Sequence, residues 1–429
     1  SNNDYWGGRQ PFTHIWHKLI TEWIKRDRNR PSIILWSLGN ELQIREGWAG
    51  FEGTNDWGIT TYNIFNQLVK RWDHTRLTTV AMFPARAGAI TRHDKEFNDY
   101  LVPPELACAT EVASFNYQSD KYDVYLKYRP DLILFQSEAE TSNLLQPYYN
   151  MDRKRTVGMA YWGSVEYWGE SNKWPKKGWN YSFFDHTMRP YPQAYLIKSA
   201  FMPEVPEVHI GVVDAAGMES ISWNDVIVGR MVLNECWNHI PGSRQSLFAF
   251  TNAHSVELLV NGQSMGVQQN DTTQANLRNM IYWKDVPYGN GGSVVAIARD
   301  KSGKEVARHR IETAGKAVAL RIEAETPTDW KADGMDLQYI NVTAIDKKGC
   351  PVWDYNEPLT LQMEGAAQLV ALDNGDHYTD ELFHGITSKR MYQGRMQIIL
   401  RSTKIPSNVK LKISSADLKE KLSLKTSLK

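Results

Sequence analysis

The chain has 429 residues, a length that allows two to four domains. Lys plus Arg and Asp plus Glu number 49 each, so the chain lacks the basic field that nucleic acid or an anionic membrane requires. It also lacks an apolar run long enough to span a membrane, and its three widely spaced cysteines form no CxxC pair. Eleven of the 16 tryptophans precede residue 201, which indicates a need for aromatic surface in the first half.

The first 200 residues alternate between two kinds of apolar pattern. Residues 11–30 have helical spacing, with Ile15, Leu19, Trp23 and Ile24 on the apolar face. Further helices are predicted at 60–75, 122–128 and 190–201. Short apolar runs predict buried strands at 32–38, 77–83, 111–117, 132–135 and 157–162. This alternation predicts a parallel α/β sheet.

After residue 203 the pattern changes to short strands separated by turns. The dipeptide Asn261-Gly262 between two apolar runs is a strong hairpin signal. Two all-β blocks of roughly 100 residues each meet near 313–315, and each has the size of an immunoglobulin-like sandwich. The Lys-rich tail, 415–429, is expected to add a last strand and a frayed end.

Two acidic residues follow predicted strands at matching places. Glu41 comes after the first strand and Glu138 after the fourth, 97 residues apart. A (β/α)8 barrel spends about 31 residues on each unit, so the two would lie three strands apart at one barrel mouth. Two carboxylates at one barrel mouth are the catalytic groups that a glycoside hydrolase requires. The alternative is that both acids merely terminate strands.

The sequence around Glu41, PSIILWSLGNE, resembles the acid/base segment of glycoside hydrolase family 2, which contains β-galactosidases and β-glucuronidases. The resemblance implies that Glu41 is the general acid/base and that Asn40 binds the sugar 2-hydroxyl. The segment FQSE, ending at Glu138, is similar to the nucleophile strand of the family. Glu138 is therefore the implied nucleophile, and Glu140 is a second acid close by.

Two further segments carry the resemblance. The tripeptide FNY is similar to a family motif that implies substrate-binding roles for Asn116 and Tyr117, with Tyr117 donating its hydroxyl to Glu138. The segment YWGSVEYWGE resembles the last-strand motif, and implies Trp162 as a platform under the sugar. Glu166 stands where the family often has Asp and is the remaining implied substrate-binding residue. Neither a cofactor nor a metal is expected.

The resemblance also implies a domain organisation. Residues 1–202 would be the C-terminal part of a (β/α)8 TIM barrel, strands 4–8, followed by immunoglobulin-like β-sandwiches at 203–315 and 316–429. Five predicted strands are too few for a closed barrel. We therefore expect the chain to be the C-terminal part of a longer enzyme, periplasmic or secreted, and to be inactive when expressed alone.

The resulting functional prediction is a retaining exo-β-glycosidase, foremost a β-galactosidase. A β-glucuronidase or a β-mannosidase remains an alternative, as does a non-catalytic carbohydrate-binding or structural remnant. The expected partner is a β-glycoside derived from an oligosaccharide or polysaccharide, with neither nucleic acid nor membrane as a partner. Homo-oligomer formation is left open.

Overall fold

The structure, a computed structural model, describes residues 12–41, 58–82, 103–141, 144–171, 174–223 and 226–428. The chain forms two compact units, Ser1–Trp162 (unit 1) and Gly163–Lys429 (unit 2). Among the described helices, none has the length and apolar character needed to cross a membrane.

Unit 1 is built on one parallel sheet. Its five strands follow each other in chain order, β1-β2-β3-β4-β5, and every neighbouring pair is parallel. The elements are α1 (Phe12–Asp27), β1 (Leu35–Asn40), α2 (Ile59–Trp72), β2 (Leu77–Met82), α3 (Glu105–Ala109), β3 (Val112–Asn116), α4 (Tyr122–Tyr128), β4 (Leu134–Ala139), α5 (Gln146–Tyr149) and β5 (Thr156–Tyr161). The carboxyl ends of all five strands therefore lie at one edge of the sheet.

A buried polar anchor holds β1 against the end of α2. Trp36 is fully buried, and its indole Nε1 donates to Asp73 Oδ2 at 2.9 Å. Asp73 also accepts from the Thr75 amide at 2.9 Å and from Arg76 Nη1 at 2.7 Å. Burial opposes ionisation of Asp73, but these donors outweigh it and hold the pKa of the carboxyl well below its usual range. The base of the strand that carries Asn40 is thereby fixed.

The structure corrects two details of the sequence prediction. Leu19, predicted on the apolar face of α1, is 50% exposed, whereas Ile24 on that face is buried together with Ile20. Strand β4 does not end at residue 135 but continues to Ala139, so Glu138 lies within the strand. Positions 11 and 83, at the ends of predicted elements, lie outside the described residues, as do Trp6, Trp48 and Trp57.

Unit 2 begins with a short loop region and a helix, and continues as two pairs of sheets. A two-stranded ribbon, β6 (Tyr167–Trp168) and β7 (Gly178–Trp179), precedes helix α6 (Pro192–Phe201). The strands that follow are β8 (Val208–Trp223), β9 (Val226–Asn234), β10 (Arg244–Thr251), β11 (Ser255–Val260), β12 (Gln263–Gln269), β13 (Met280–Pro287), β14 (Ser293–Arg299), β15 (Glu305–Glu312), β16 (Ala319–Ala324), β17 (Trp330–Lys331), β18 (Leu337–Ile345), β19 (Pro358–Glu364), β20 (Ala367–Asp373), β21 (Ser388–Arg390), β22 (Arg395–Ser402), β23 (Asn408–Ser415) and β24 (Leu418–Ser427).

Each pair of sheets encloses its own core. The first sandwich pairs the sheet β13-β10-β8-β9 with β12-β11-β14-β15, around a core that includes Ile210, Trp237 and Leu258. The second pairs β16-β18-β22-β20 with β17-β24-β23-β19-β21, around Trp330 and Ile398 among others. Two separate apolar cores are the physical signature of two β-sandwich domains.

Asn261 and Gly262 form the predicted two-residue hairpin between β11 and β12. Both have positive φ, 53° and 81°, as a type I′ turn requires. The predicted domain limits at 202/203 and 315/316 stay predictions, because the compact units divide after Trp162 and residues 163–202 belong with the sandwiches in unit 2.

Candidate active site

The carboxyl ends of β1, β3 and β4 bring five of the predicted residues to one edge of the sheet. Asn40 and Asn116 are the last residues of β1 and β3, and Glu138 is the last but one of β4. Glu41 and Tyr117 directly follow their strands with left-handed φ values of 56° and 59°. Non-glycine residues in this region are strained, and such strain concentrates at functional sites.

The amide of Asn116 links the two asparagines and Glu41. Asn116 is fully buried, and its Nδ2 donates to Asn40 Oδ1 and to Glu41 Oε1, each at 3.1 Å. Its Oδ1 accepts from the Ser137 hydroxyl at 2.7 Å. Because Ser137 can donate only to the oxygen, this bond sets which end of the amide faces Glu41. The Glu41 carboxylate is thereby oriented by a buried group at the end of β3, two strands away in the sheet.

Tyr117 makes the corresponding contact with Glu138. Its hydroxyl donates to Glu138 Oε2 at 2.6 Å, and its backbone amide donates to the Glu138 carbonyl at 2.8 Å. Burial, followed by the negative charge of Glu138, raises the pKa of the Tyr117 phenol well above its usual range. The phenol therefore stays protonated and remains a donor to the carboxylate at neutral pH.

Two further residues lie close to this pair. The charge of Glu140 also contributes to the raised pKa of Tyr117, so Glu140 is near the same edge. Trp162 follows β5 and is half-buried, and its amide donates to the Ala139 carbonyl at 3.0 Å. The structure thus places Trp162 beside the end of the strand that carries Glu138, and a stacking contact with a sugar stays a prediction.

Glu166 is the remaining predicted substrate-binding residue. It belongs to unit 2, where its side chain is only 2% exposed and accepts from the Tyr191 hydroxyl at 2.9 Å. Burial opposes its ionisation, but His186 and His377 outweigh burial and lower the pKa of Glu166 to about 2. No described contact supports the predicted role of Glu166 in substrate binding, which remains untested.

Sequence reasoning missed several polar residues around these sites. Ser137, which orients Asn116, belongs to the FQSE segment, but the sequence prediction gives it no role. His186, Asp373 and His377 surround Glu166 but are separated from it by up to about 210 residues of sequence. No local spacing marks them, because they meet only through the packing of unit 2.

The comparisons with known proteins agree with the architecture. Residues 8–156 match the model described as "Glycosyl hydrolases family 2, TIM barrel domain", and residues 320–422 match "Glycoside hydrolase family 2 C-terminal domain 5". Residues 242–307 match a domain of unknown function. The chain belongs to glycoside hydrolase family 2. The predicted fold class, part of a TIM barrel followed by two β-sandwiches, is confirmed.

Three relatives illustrate the similarity. Beta-galactosidase BoGH2A of Bacteroides ovatus is 25% identical, over 94% of this chain and 51% of its own length. A putative beta-glucuronidase of Formosa agariphila is 22% identical, over 93% and 39%. The crystal structure of a family 2 member from Bacteroides cellulosilyticus superposes with a TM-score of 0.78 at 25% identity, over 97% of this chain and 51% of that one. The chain therefore spans about half the length of the first of these relatives, and less of the second.

Proposed function

We propose that the strand-end site serves a retaining β-glycosidase, in which Glu138 is the nucleophile and Glu41 the general acid/base. The observation that carries the proposal is the pair of contacts from consecutive residues, Asn116 to Glu41 and Tyr117 to Glu138. Because Asn116 and Tyr117 are neighbours in sequence, the two glutamates are held on either side of one short segment. Retaining enzymes hold their two carboxyl groups about 5–5.5 Å apart, and the contacts of both glutamates with one dipeptide favour that arrangement here.

The proposed reaction has two displacements. Glu138 attacks the anomeric carbon while Glu41 donates a proton to the glycosidic oxygen, and the aglycone departs. A glycosyl ester with Glu138 results. Glu41, now ionised, removes a proton from water, and the water oxygen attacks the anomeric carbon to release the sugar and Glu138. The net configuration at the anomeric carbon is retained.

The surrounding donors suit these roles. The Tyr117 hydroxyl fixes one oxygen of the Glu138 carboxylate. Asn116 orients Glu41, and its second bond holds the Asn40 side chain, which is exposed and free to bind a sugar hydroxyl at its amide nitrogen. A bond to the 2-hydroxyl strengthens in the transition state and would supply several kcal/mol.

The sugar is proposed as a terminal β-galactoside, because the Bacteroides ovatus relative is named a beta-galactosidase. β-Glucuronides are the principal alternative, since other relatives carry that name. β-Mannosides are the third substrate class. Aryl β-galactoside, β-glucuronide and β-mannoside, compared at equal concentration, would rank the three by kcat/KM.

The decisive variant is Glu138→Gln, made in the chain and in the longest reading frame that encodes it. Removing a nucleophile should lower kcat by about 10,000-fold or more, whereas the matched control Glu140→Gln should retain most of the activity. With an activated aryl glycoside, azide should restore turnover to Glu41→Ala, because the anion attacks the glycosyl–enzyme without a general base, releasing Glu138 and a glycosyl azide. Wild-type turnover in Glu138→Gln would refute the assignment, and absence of turnover in every wild-type form would favour the non-catalytic remnant.

A further inference from the structure

Unit 2 contains a buried cluster of one glutamate and two histidines, Glu166, His186 and His377, here called the Glu166 cluster. Glu166 Oε2 lies 3.0 Å from His377 Nε2 and 3.8 Å from His186 Nδ1, and the three atoms all fall within 4.8 Å of one another. The side chains are 2%, 6% and 3% exposed for Glu166, His186 and His377. The atoms that converge are therefore shielded from bulk water.

The converging atoms lack hydrogen-bond partners among the residues that the structure describes. This holds for Glu166 Oε2, His186 Nδ1 and His377 Nε2. The 3.0 Å approach of His377 to Glu166 does not have hydrogen-bond geometry. An unsatisfied buried polar group costs about 1–3 kcal/mol, so three of them pointing at one place indicate a missing partner.

The far ends of two of these side chains, His186 and Glu166, are held, and this fixes what their near ends can do. His186 Nε2 lies 2.9 Å from Asp373 Oδ1, which can only accept while ionised, so Nε2 carries the proton. Once the ring is neutral, as a metal ligand must be, its Nδ1 lone pair points into the cluster. The Tyr191 hydroxyl holds Glu166 Oε1 at 2.9 Å, which leaves Oε2 for another partner. A histidine backed by a carboxylate in this way is the usual arrangement at metal sites.

We propose that the Glu166 cluster binds a divalent transition metal, Zn²⁺, through Glu166 Oε2, His186 Nδ1 and His377 Nε2. Four ligands at zinc–nitrogen and zinc–oxygen distances of 2.0–2.1 Å stand about 3.3 Å apart in a tetrahedron, between the two measured separations. A cavity of about 250 Å³ lined by Glu166, His377, Asn180 and Ser182 adjoins the cluster and can supply a water as the fourth ligand.

The local charges suit a cation. Glu166 and Asp373 provide two negative charges, and the positive charge of Arg230 lies 3.9 Å from the opposite carboxylate oxygen, Glu166 Oε1. Arg230 is itself paired with Glu219 at 3.3 Å. Zinc would balance the two carboxylates and would displace any proton held by the His186 or His377 rings.

A second cluster in unit 2, Glu235 with His209 and His309, shows a different arrangement. His209 Nε2 lies 2.6 Å from Glu235 Oε1, a hydrogen bond that already satisfies the carboxylate oxygen. His309 Nδ1 accepts the Ile210 amide at 3.0 Å, so the proton of the neutral ring is on Nε2 and that atom cannot bind a metal. The two imidazoles also stack 3.9 Å apart. This cluster contains the same types of residue as the Glu166 cluster, but its atoms are not arranged as metal ligands. It therefore serves as an internal control.

The proposed metal would be structural. Glu166 and His186 lie before α6, and His377 lies between β20 and β21 of the second sandwich. The ion would thus fasten the segment 163–191 to that sandwich, and its binding free energy would add to the folding free energy of unit 2. The inference is independent of the proposed hydrolase activity.

The test is zinc binding by the 429-residue chain after chelation and buffer exchange. Calorimetric titration with ZnCl₂ should show one equivalent bound, an affinity lowered at least about 100-fold in His377→Ala, and no change in His309→Asn. Equal affinity in wild type and His377→Ala, or equal losses in both variants, would overturn the proposal.

Cobalt provides a measurement that needs no variant. The wild-type chain with one equivalent of Co²⁺ should show the intense visible absorption of four-coordinate cobalt, abolished by an equivalent of Zn²⁺. The weak spectrum of six-coordinate Co²⁺ would overturn the proposal even if His377→Ala fails to fold, and would leave a proton-linked ion pair as the account of the cluster.

Discussion

The strand-end site of unit 1 and the two histidine–glutamate clusters of unit 2 are all built around carboxylates, but they are assembled differently. In unit 1, three parallel strands each deliver one or two consecutive residues to a common edge. In unit 2, single residues from distant segments meet in the packed interior. The first kind of site can be recognised in the sequence because its functional residues lie at the ends of predicted strands. The second kind depends on tertiary packing.

The two kinds of site also differ in how their carboxylates are satisfied. Asn116 and Tyr117 donate one bond each to Glu41 and Glu138. Glu235 has His209 as its partner, and Glu166 retains an oxygen without one among the described residues. The donors in unit 1 should therefore control reactivity, and those in unit 2 should control stability.

Of the variants that test this difference between the two kinds of site, those at Asn116 should lose the most activity. Asn116→Ala removes the only described donor that joins Glu41 to Asn40, and it leaves the Ser137 hydroxyl without its acceptor. We expect kcat/KM for the preferred aryl glycoside to fall by about 100- to 1,000-fold. The matched control is Gln118→Ala, a buried amide two residues further along. Similar losses in both variants would show that the effect is one of folding rather than orientation.

Tyr117→Phe should have the next largest effect. Loss of the 2.6 Å hydrogen bond to Glu138 removes about 1.5–3 kcal/mol of charge-assisted bonding, or about 10- to 100-fold in kcat/KM. Tyr122→Phe loses a phenol that instead donates to the Phe135 carbonyl at 3.1 Å, and it should keep its activity. An unchanged kcat/KM in Tyr117→Phe would contradict the proposed support of the nucleophile.

The second cluster of unit 2, formed by Glu235, His209 and His309, should make the stability of the protein depend on pH. Burial, and then the neighbouring His209, lower the pKa of His309 to about 4. In the unfolded chain this pKa returns to about 6.5, so between pH 6.5 and 4 the unfolded state binds more protons and the free energy of unfolding falls as the pH falls. The full difference corresponds to about 3 kcal/mol.

Urea unfolding at pH 7.5 and pH 4.5 measures this term. His309→Asn keeps an acceptor for the Ile210 amide and should reduce the loss of stability between the two pH values by about 2 kcal/mol. His254→Asn, at an exposed histidine, should leave the wild-type dependence unchanged. Equal pH dependence in all three proteins would mean that His309 is not held in its neutral form.

Much of the fold was predictable because local and global signals agree. Buried apolar runs gave all five parallel strands of unit 1, and Asn261-Gly262 gave its hairpin. The exposed Leu19 was wrongly predicted to be buried because helical spacing fixes the width of an apolar face but not its rotation against a sheet. The Lys-rich tail was expected to add a last strand, and it forms β24, because Leu422 and Leu424 alternate with its charges and pack on the last core.

The residues of the candidate site also differ in how far the sequence could predict their surroundings. Asn40, Glu41, Asn116, Tyr117 and Glu138 were found from strand-end motifs, and the structure brings them to one edge. Glu166 was assigned by motif alone, and its surroundings could not be foreseen. Its neighbours His186, Asp373 and His377 come from separate segments, so their encounter depends on how the second sandwich packs.

The left-handed backbone at Glu41 and Tyr117 bears on the history of the chain. Each strained residue costs of order 1–3 kcal/mol, which glycine at the same position would avoid. A lineage that had ceased to use these side chains would gain stability by replacing them, and drift would have opportunity to do so. The presence of glutamate and tyrosine at these two strained strand ends favours side chains in use for chemistry over a disused scaffold.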